Sequence, residues 1–227
     1  MSNIGVGFRI RSSFERPSKG LIEAFRGIPV ANIADCMNRT ACVDSSIFPM
    51  NGAPLLGSAF TVKATGGDNL MFHKALDLAQ PGDVIVIAGG GAPDRAYSGE
   101  IMVQYAISRG LAGFIVDGCM RDRDAIAQLD FPVYCKGISP NGPFKNGPGE
   151  IGYPVSFAGQ VIFPGDILVG DGDGIVVIRP GEAAAISQEA RAVFVREENL
   201  IAEIKAGKGM SRPWMDKTLD EKGCVFE

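Results

Sequence analysis

The sequence predicts an α/β fold whose mixed sheet joins a parallel strand–helix–strand unit to a strand-rich second half. Two observations predict it. Residues 57–137 alternate short apolar runs with segments of helical period, the order that makes parallel strands linked by crossover helices. Residues 154–180, "PVSFAGQVIFPGDILVGDGDGIVVIRP", are a string of short apolar runs cut by Gly and Pro-Gly, which suits antiparallel neighbours. No composition break marks a linker, so residues 1–227 read as one domain with a C-terminal helix and tail.

Each element has its own signal. "GLIEAFRGIPVANIADCMNR" (20–39) reads as two short helices with a break at Gly27-Ile28-Pro29, since Pro fits at or just before a first helical turn. "GSAFTVKAT" (57–65) alternates and is rich in Val, Thr and Phe, a strand. "NLMFHKALDLA" (69–79) places Leu70, Met71, Ala75, Leu78 and Ala79 at helical spacing. "PGDVIVIAGGG" (81–91) is a turn, a buried strand and a glycine loop. "GEIMVQYAISRG" (99–110) is helical, with Gly110 as C-cap. A strand at 113–117, a helix at 122–129 and the strand "FPVYCKG" follow. "PGDVIV" (81–86) and "PGDILV" (164–169) echo each other, and Pro-Gly favours a type II turn in both. Residues 181–206 form a charged amphipathic helix, and "WMDKTLDEKGCVFE" a surface extension.

Composition narrows the function classes. Hydrophobic residues make up 46% of the chain, enough for a core. The net charge of -4 and the lack of a basic stripe argue against nucleic acid as a partner. No 18-residue apolar stretch predicts a membrane span, and the N-terminus lacks a signal peptide's apolar region. The five cysteines are widely spaced without a C-x-x-C, as expected of reduced thiols in a cytoplasmic protein.

The glycine segment "AGGGAPDRAYSGE" lacks the G-K-[ST] of a phosphate-binding loop, and Asp94 stands where G-x-G-x-x-G needs its third glycine. The helix start at Gly99, Glu100, Ile101 and Met102 is a better candidate. Its free N–H groups and dipole suit a small carboxylate, and Gly99 lets a ligand approach the backbone. Arg121 and Asp122 follow the next strand, and both loops open at strand carboxyl ends, where ligands of open α/β sheets bind. Arg can clamp a carboxylate, and Asp is a hard oxygen ligand for Mg²⁺ or Mn²⁺. The bland alternative is that Asp122 caps the helix 122–129 and Arg121 is a solvated charge. His73, the single histidine, reads as structural, and its singularity excludes a multi-histidine zinc site. Asp171 and Asp173 read as a hairpin turn rather than a calcium loop. Nothing marks Lys63, Lys74, Lys136 or Lys145 as a desolvated Schiff-base amine. "REEN" (196–199) is either a solvated helical face or a contribution to a second subunit's site.

"GEIMVQYAISRGLAGFIVDGCMRD", then "FPVY" and "GDILVGDGDGIVVI", resemble the RraA-like family over about residues 20–210. That family holds divalent-metal-dependent aldolases for 4-hydroxy-4-methyl-2-oxoglutarate and 4-carboxy-4-hydroxy-2-oxoadipate. It also holds non-enzymatic regulators that bind ribonuclease E. The resemblance implies a layered α/β sandwich in homotrimers or homohexamers, with active sites between subunits. It implies that the amides of Gly99–Met102 hold the pyruvate carboxylate and that Arg121 binds pyruvate and steadies its enolate. Asp122 matches the metal ligand, with Mg²⁺ or Mn²⁺ as cofactor. Glu100 matches an acid touching metal-bound water, and Glu197 or Glu198 an acid donated by a neighbouring subunit. The regulator branch lacks the Asp after the Arg, so Asp122 favours the enzymatic branch. The implied activity is a carbon–carbon lyase that cleaves a 4-hydroxy-2-oxo acid to pyruvate and also decarboxylates oxaloacetate. The alternative is a regulator-type binding protein.

Overall fold

The computed structural model describes residues 5–225. Its first half comprises β1 (Phe8–Ile10), α1 (Lys19–Glu23), α2 (Val30–Cys36), β2 (Phe48–Pro49), β3 (Leu55–Ala64), α3 (Leu70–Leu78), β4 (Asp83–Ser98), α4 (Glu100–Ser108), β5 (Gly113–Met120) and α5 (Arg123–Ile126). The second half adds β6 (Val133–Ile138), β7 (Gly149–Ile151), β8 (Val155–Phe157), β9 (Gln160–Ile162), β10 (Ile167–Asp171), β11 (Gly174–Ile178), α6 (Pro180–Lys205) and α7 (Pro213–Glu221).

The large sheet is mixed, in the order β1-β7-β3-β4-β5-β6-β2. Its centre, β3-β4-β5-β6, is parallel, with α3, α4 and α5 as the connections. One edge of β3 is shared: its first residues pair with β10 and its last with β7, both antiparallel. β10–β11 and β8–β9 are antiparallel hairpins, as the Gly and Pro-Gly spacing predicts. Asp171 and Asp173 fall at the β10–β11 turn.

Three apolar clusters define the layers. On one face, Met71, Phe72 and Leu76 of α3 and Val103 and Ala106 of α4 pack on Phe60, Ile85, Ile87, Phe114 and Val116. On the other, Val155, Phe157 and Ile162 of the small ribbon and Leu168 and Ile175 cover Ala59, Val84, Val86 and Ile115. A third cluster seats Ile33 of α2 and Ala183 and Ala190 of α6 on Ile167, Val169, Val176 and Ile178. The strands at the centre are buried on both faces, which is why they read as continuous apolar runs rather than alternating ones.

The echoed Pro-Gly-Asp segments are two copies of one device. Gly82 and Gly165 both have φ +88°, and the Asp83 and Asp166 N–H groups close the turns onto Gln80 and Phe163, the type II geometry with Gly at its third position. Each aspartate turns back to accept from the N–H that opens its turn, at 2.8 and 2.7 Å. Both carboxylates are buried, and each has an arginine: Arg16 on Asp83 at 2.8 and 2.7 Å, Arg179 on Asp166.

Three elements differ from the sequence-based expectation. The glycine segment after residue 88 is not a loop. β4 runs through it to Ser98, with its register against β5 shifting at Ala92 and Ala96 and with Gly90 and Gly91 at φ +69° and +71°. The helix expected over 122–129 shrinks to Arg123–Ile126, because Asn51 Nδ2 takes the carbonyls of Ile126, Leu129 and Phe131 and closes a turn there. The tail contains α7, with Pro213 in its first turn and no buried residue, so it is a surface extension that is helical. Among the described residues no helix is long and apolar enough to cross a membrane.

Candidate active site

The site forms where β4 and β5 end and α4 begins. Gly99 precedes α4 in extended conformation (φ −150°, ψ −165°) and has no side chain to cap it. The first N–H groups of a helix lack intrahelical acceptors. Glu100 N–H donates to Asp122 Oδ2 at 2.9 Å, so the cap comes from the far end of β5. The first return bond of the helix is Val103 N–H to Gly99 O. The Ile101 and Met102 N–H groups are left as donors at the positive end of the helix.

Asp122 sits at φ 57°, ψ 39°, the left-handed region, and makes no capping bond to α5. Non-glycine residues there are uncommon, though Asp is among the more tolerant. The geometry turns the carboxylate away from α5 and onto α4. That overturns the view of Asp122 as a cap on its own helix. It also changes the role of Gly99. An ideal Cβ on Gly99 would collide with Asp122 Oδ2 and lie 2.9 Å from Arg121 Cγ. The space that glycine clears is filled by the chain's own Arg-Asp pair rather than left for a ligand.

Arg121 is tied to the end of β4 by its N–H to Ser98 O at 3.0 Å. Its Nε lies 3.7 Å from Asp122 Oδ2, and both side chains are about two-fifths exposed, at 43% and 41%. A cleft of about 250 Å³ opens beside them. Its lining includes Ser98, Gly99, Ile101, Met102, Arg121 and Asp122, as the sequence predicts for two strand-end loops facing one space. Glu100 takes part through its backbone N–H.

The opposite wall was not legible in the sequence. Asn69, His73, Gly142, Pro143 and Lys145 also line the cleft. His73 is not a core histidine: it is exposed on α3 at the cleft wall, and partial burial, then the Lys145 charge, hold its pKa below the ordinary range against the pull of Asp77. Asn69 is buried, and its Nδ2 donates to Tyr97 O at 2.8 Å. Tyr97 is fully buried, its hydroxyl accepting from Gly67 N–H and reaching Gly89 O at 2.9 Å. Burial raises the Tyr97 pKa, which keeps the hydroxyl a donor.

Glu197 and Glu198 lie on α6, outside this cleft. Glu197 Oε2 accepts from Asn32 Nδ2 of α2 at 2.6 Å. The fold does not bring either glutamate to the Arg-Asp pair of its own chain.

The donor set suits one kind of divalent metal. Among the described residues no three His, Cys, Asp or Glu side chains converge. Among the described residues Asp122 is the one acidic residue lining the cleft; its Oδ2 is fixed by Glu100 N–H, and no described residue donates to Oδ1. One anchored carboxylate fits a hard cation that keeps several waters, such as Mg²⁺ or Mn²⁺, and not a structural zinc.

A family model described as RraA-like, Aldolase/RraA, matches residues 30–177. The chain belongs to the RraA-like family. A relative from Halalkalibacterium halodurans, named "Putative 4-hydroxy-4-methyl-2-oxoglutarate aldolase", is 41% identical over 171 residues, covering 75% of this chain and 81% of its own. An uncharacterized protein from Pseudomonas syringae pv. tomato superposes with a TM-score of 0.76 at 26% identity, over 86% of this chain and 96% of its own. Streptomyces coelicolor RraAS2, titled an unusual member of the RNase ES inhibitor RraA protein family, does so at 0.72 and 27%, over 82% and 98%. RraA-like proteins therefore carry both aldolase and ribonuclease-inhibitor names.

Proposed function

We propose that this RraA-like protein is a divalent-metal-dependent lyase that cleaves a 4-hydroxy-2-oxo acid to pyruvate and decarboxylates oxaloacetate by the same route. The observation behind it is the Asp122 carboxylate pinned to Glu100 N–H beside Arg121, with Ile101 and Met102 of the α4 first turn lining the same cleft.

In this reading Asp122 holds Mg²⁺ or Mn²⁺, which when bound polarises the 2-oxo group and offsets developing negative charge. Arg121 pairs with the substrate carboxylate, where a planar guanidinium makes two parallel hydrogen bonds. The Ile101 and Met102 N–H groups and the α4 dipole complete that recognition. Lys145, which lines the cleft across from the pair, is the cation for the distal carboxylate of a dicarboxylic substrate in this reading. A base removes the C4 hydroxyl proton; the C3–C4 pair then moves to the C2 carbonyl as C4 becomes a ketone. Charge appears on the C2 oxygen beside Arg121, so a fixed cation there lowers the barrier. Protonation at C3 gives pyruvate. A water held by Glu100 and by Glu197 or Glu198 of a neighbouring copy in a homotrimer or homohexamer supplies the acid–base function. Loss of CO₂ from oxaloacetate leaves the same enolate and needs no hydroxyl base.

Pyruvate release from 4-hydroxy-4-methyl-2-oxoglutarate and from oxaloacetate, coupled to lactate dehydrogenase, tests the proposal. Turnover should vanish with EDTA and return with Mg²⁺ or Mn²⁺. Inactivation by borohydride in the presence of pyruvate would instead mark a lysine imine and sink the mechanism. The second reading, a non-enzymatic regulator, has the Streptomyces coelicolor fold match in its favour. It predicts no pyruvate from either substrate at any metal concentration.

A further inference from the structure

Asp68 is buried, at 4% exposure, and forms no ion pair among the described residues. Burying a lone carboxylate is costly unless hydrogen bonds replace its water. Three backbone N–H groups do so: Leu70 to Oδ1 at 2.9 Å, and Asn146 and Gly147 to Oδ2 at 2.5 and 3.0 Å. The first belongs to the opening turn of α3, the helix that carries His73. The other two belong to the loop that carries Lys145. That loop is held on its other flank as well, by Phe144 N–H to Gly67 O at 2.8 Å and Asn69 N–H to Phe144 O at 3.0 Å. The backbone on both sides of an exposed lysine is thus fixed to residues 67–69.

We infer that Asp68 is a positioning residue, which sets the Lys145 loop against α3 so that the Lys145 ammonium meets the second carboxylate of a dicarboxylic ligand. This rests on the reading of the cleft as a 2-oxo acid site. A purely structural role would lower stability and weaken all ligands alike. A positioning role acts through one lysine, and so on one end of the ligand.

Calorimetric binding of 2-oxoglutarate, with two carboxylates, and of pyruvate, with one, separates the two roles without needing turnover. Four proteins are compared: wild type, Asp68→Asn, Lys145→Ala and the double variant. Asp68→Asn should weaken 2-oxoglutarate by about 5- to 20-fold, weaken pyruvate by less than about 2-fold, and have little further effect once Lys145 is Ala, the non-additivity expected of coupled residues. Equal losses for both ligands, or an undiminished loss in the Lys145→Ala background, overturn the inference while leaving the 2-oxo acid site standing. A wild type that binds neither ligand overturns that site and the inference with it. If Asp68→Asn fails to fold, Asn146→Pro carries the test, because it removes one loop donor and leaves the Asp68 carboxylate and the α3 contact in place.

Discussion

Gly99→Ala is the most direct test of how the site is built. The backbone at Gly99 is extended, a conformation any residue adopts, so alanine meets no dihedral strain. The only obstacle is space. The added methyl would collide with Asp122 Oδ2 and stand 2.9 Å from Arg121 Cγ and 3.1 Å from its Nε. Something must move, and the half-exposed Arg-Asp pair moves more easily than two buried strands. Displacing Asp122 breaks its bond to Glu100 N–H, a charge-assisted contact worth about 1.5–3 kcal/mol. If that loss falls on the transition state, kcat/KM drops roughly 10- to 150-fold. The assay is oxaloacetate decarboxylation read as pyruvate, with a melting curve alongside. Gly20→Ala is the control: Gly20 lies in α1 with open space around its Cβ position, and Ala there should stabilise by up to about 1 kcal/mol. Gly99→Ala with kcat/KM within about twofold of wild type would show that the present placement of Arg121 and Asp122 is not needed, and the mechanism would fall.

Further outcomes follow from the same geometry. Asp122→Ala removes the charged acceptor at the α4 N-terminus, so stability should fall by about 1.5–3 kcal/mol while metal-dependent turnover disappears; a lowered Tm with wild-type kcat would reduce Asp122 to a helix cap. Arg121→Lys keeps the charge and loses the planar fork, so KM for the 2-oxo acid should rise, kcat should fall and pyruvate should inhibit less; unchanged kinetics would place the substrate elsewhere. The folded-state pKa of His73 is depressed by burial and by Lys145. Between that value and the unfolded pKa of about 6.5, the unfolded chain binds the extra proton, so His73 contributes a loss of stability as pH falls through that window. His73→Gln should flatten the Tm–pH profile there, and an identical slope in the variant would refute the assignment.

The fold was legible because its signals are local. Parallel strands buried on both faces appear as unbroken apolar runs, and the crossover helices keep their 3–4 spacing. What failed had a distant cause. The glycine segment reads as a loop because nothing in "AGGGAPDRAYS" says that β5 extends to Met120 and offers it a partner. The helix after Asp122 reads too long because the side chain that ends it, Asn51, is more than seventy residues away in sequence. The site divides the same way. Arg121, Asp122 and the α4 start lie at strand ends, where the architecture itself points. His73 and Lys145 are brought to one wall of the cleft by the packing of α3 and by the 67–70 and 144–147 contacts. Those contacts use backbone atoms, which leave no residue-type pattern apart from Asp68.

Asp122 shows how spacing alone can suggest the wrong partner. An Asp directly before a short helical segment is a good N-cap by type, and on that basis it belonged to α5. Three features of the fold separate it from that role. Its φ of 57° is outside the extended conformation usual for an N-cap. Its carboxylate accepts no bond from α5 and instead holds Glu100 N–H. And the residue before Glu100 must be glycine for the carboxylate to reach it. A cap on α5 would require none of these. A carboxylate that must stay fixed beside Arg121, anchored by one oxygen to Glu100 N–H, accounts for all three.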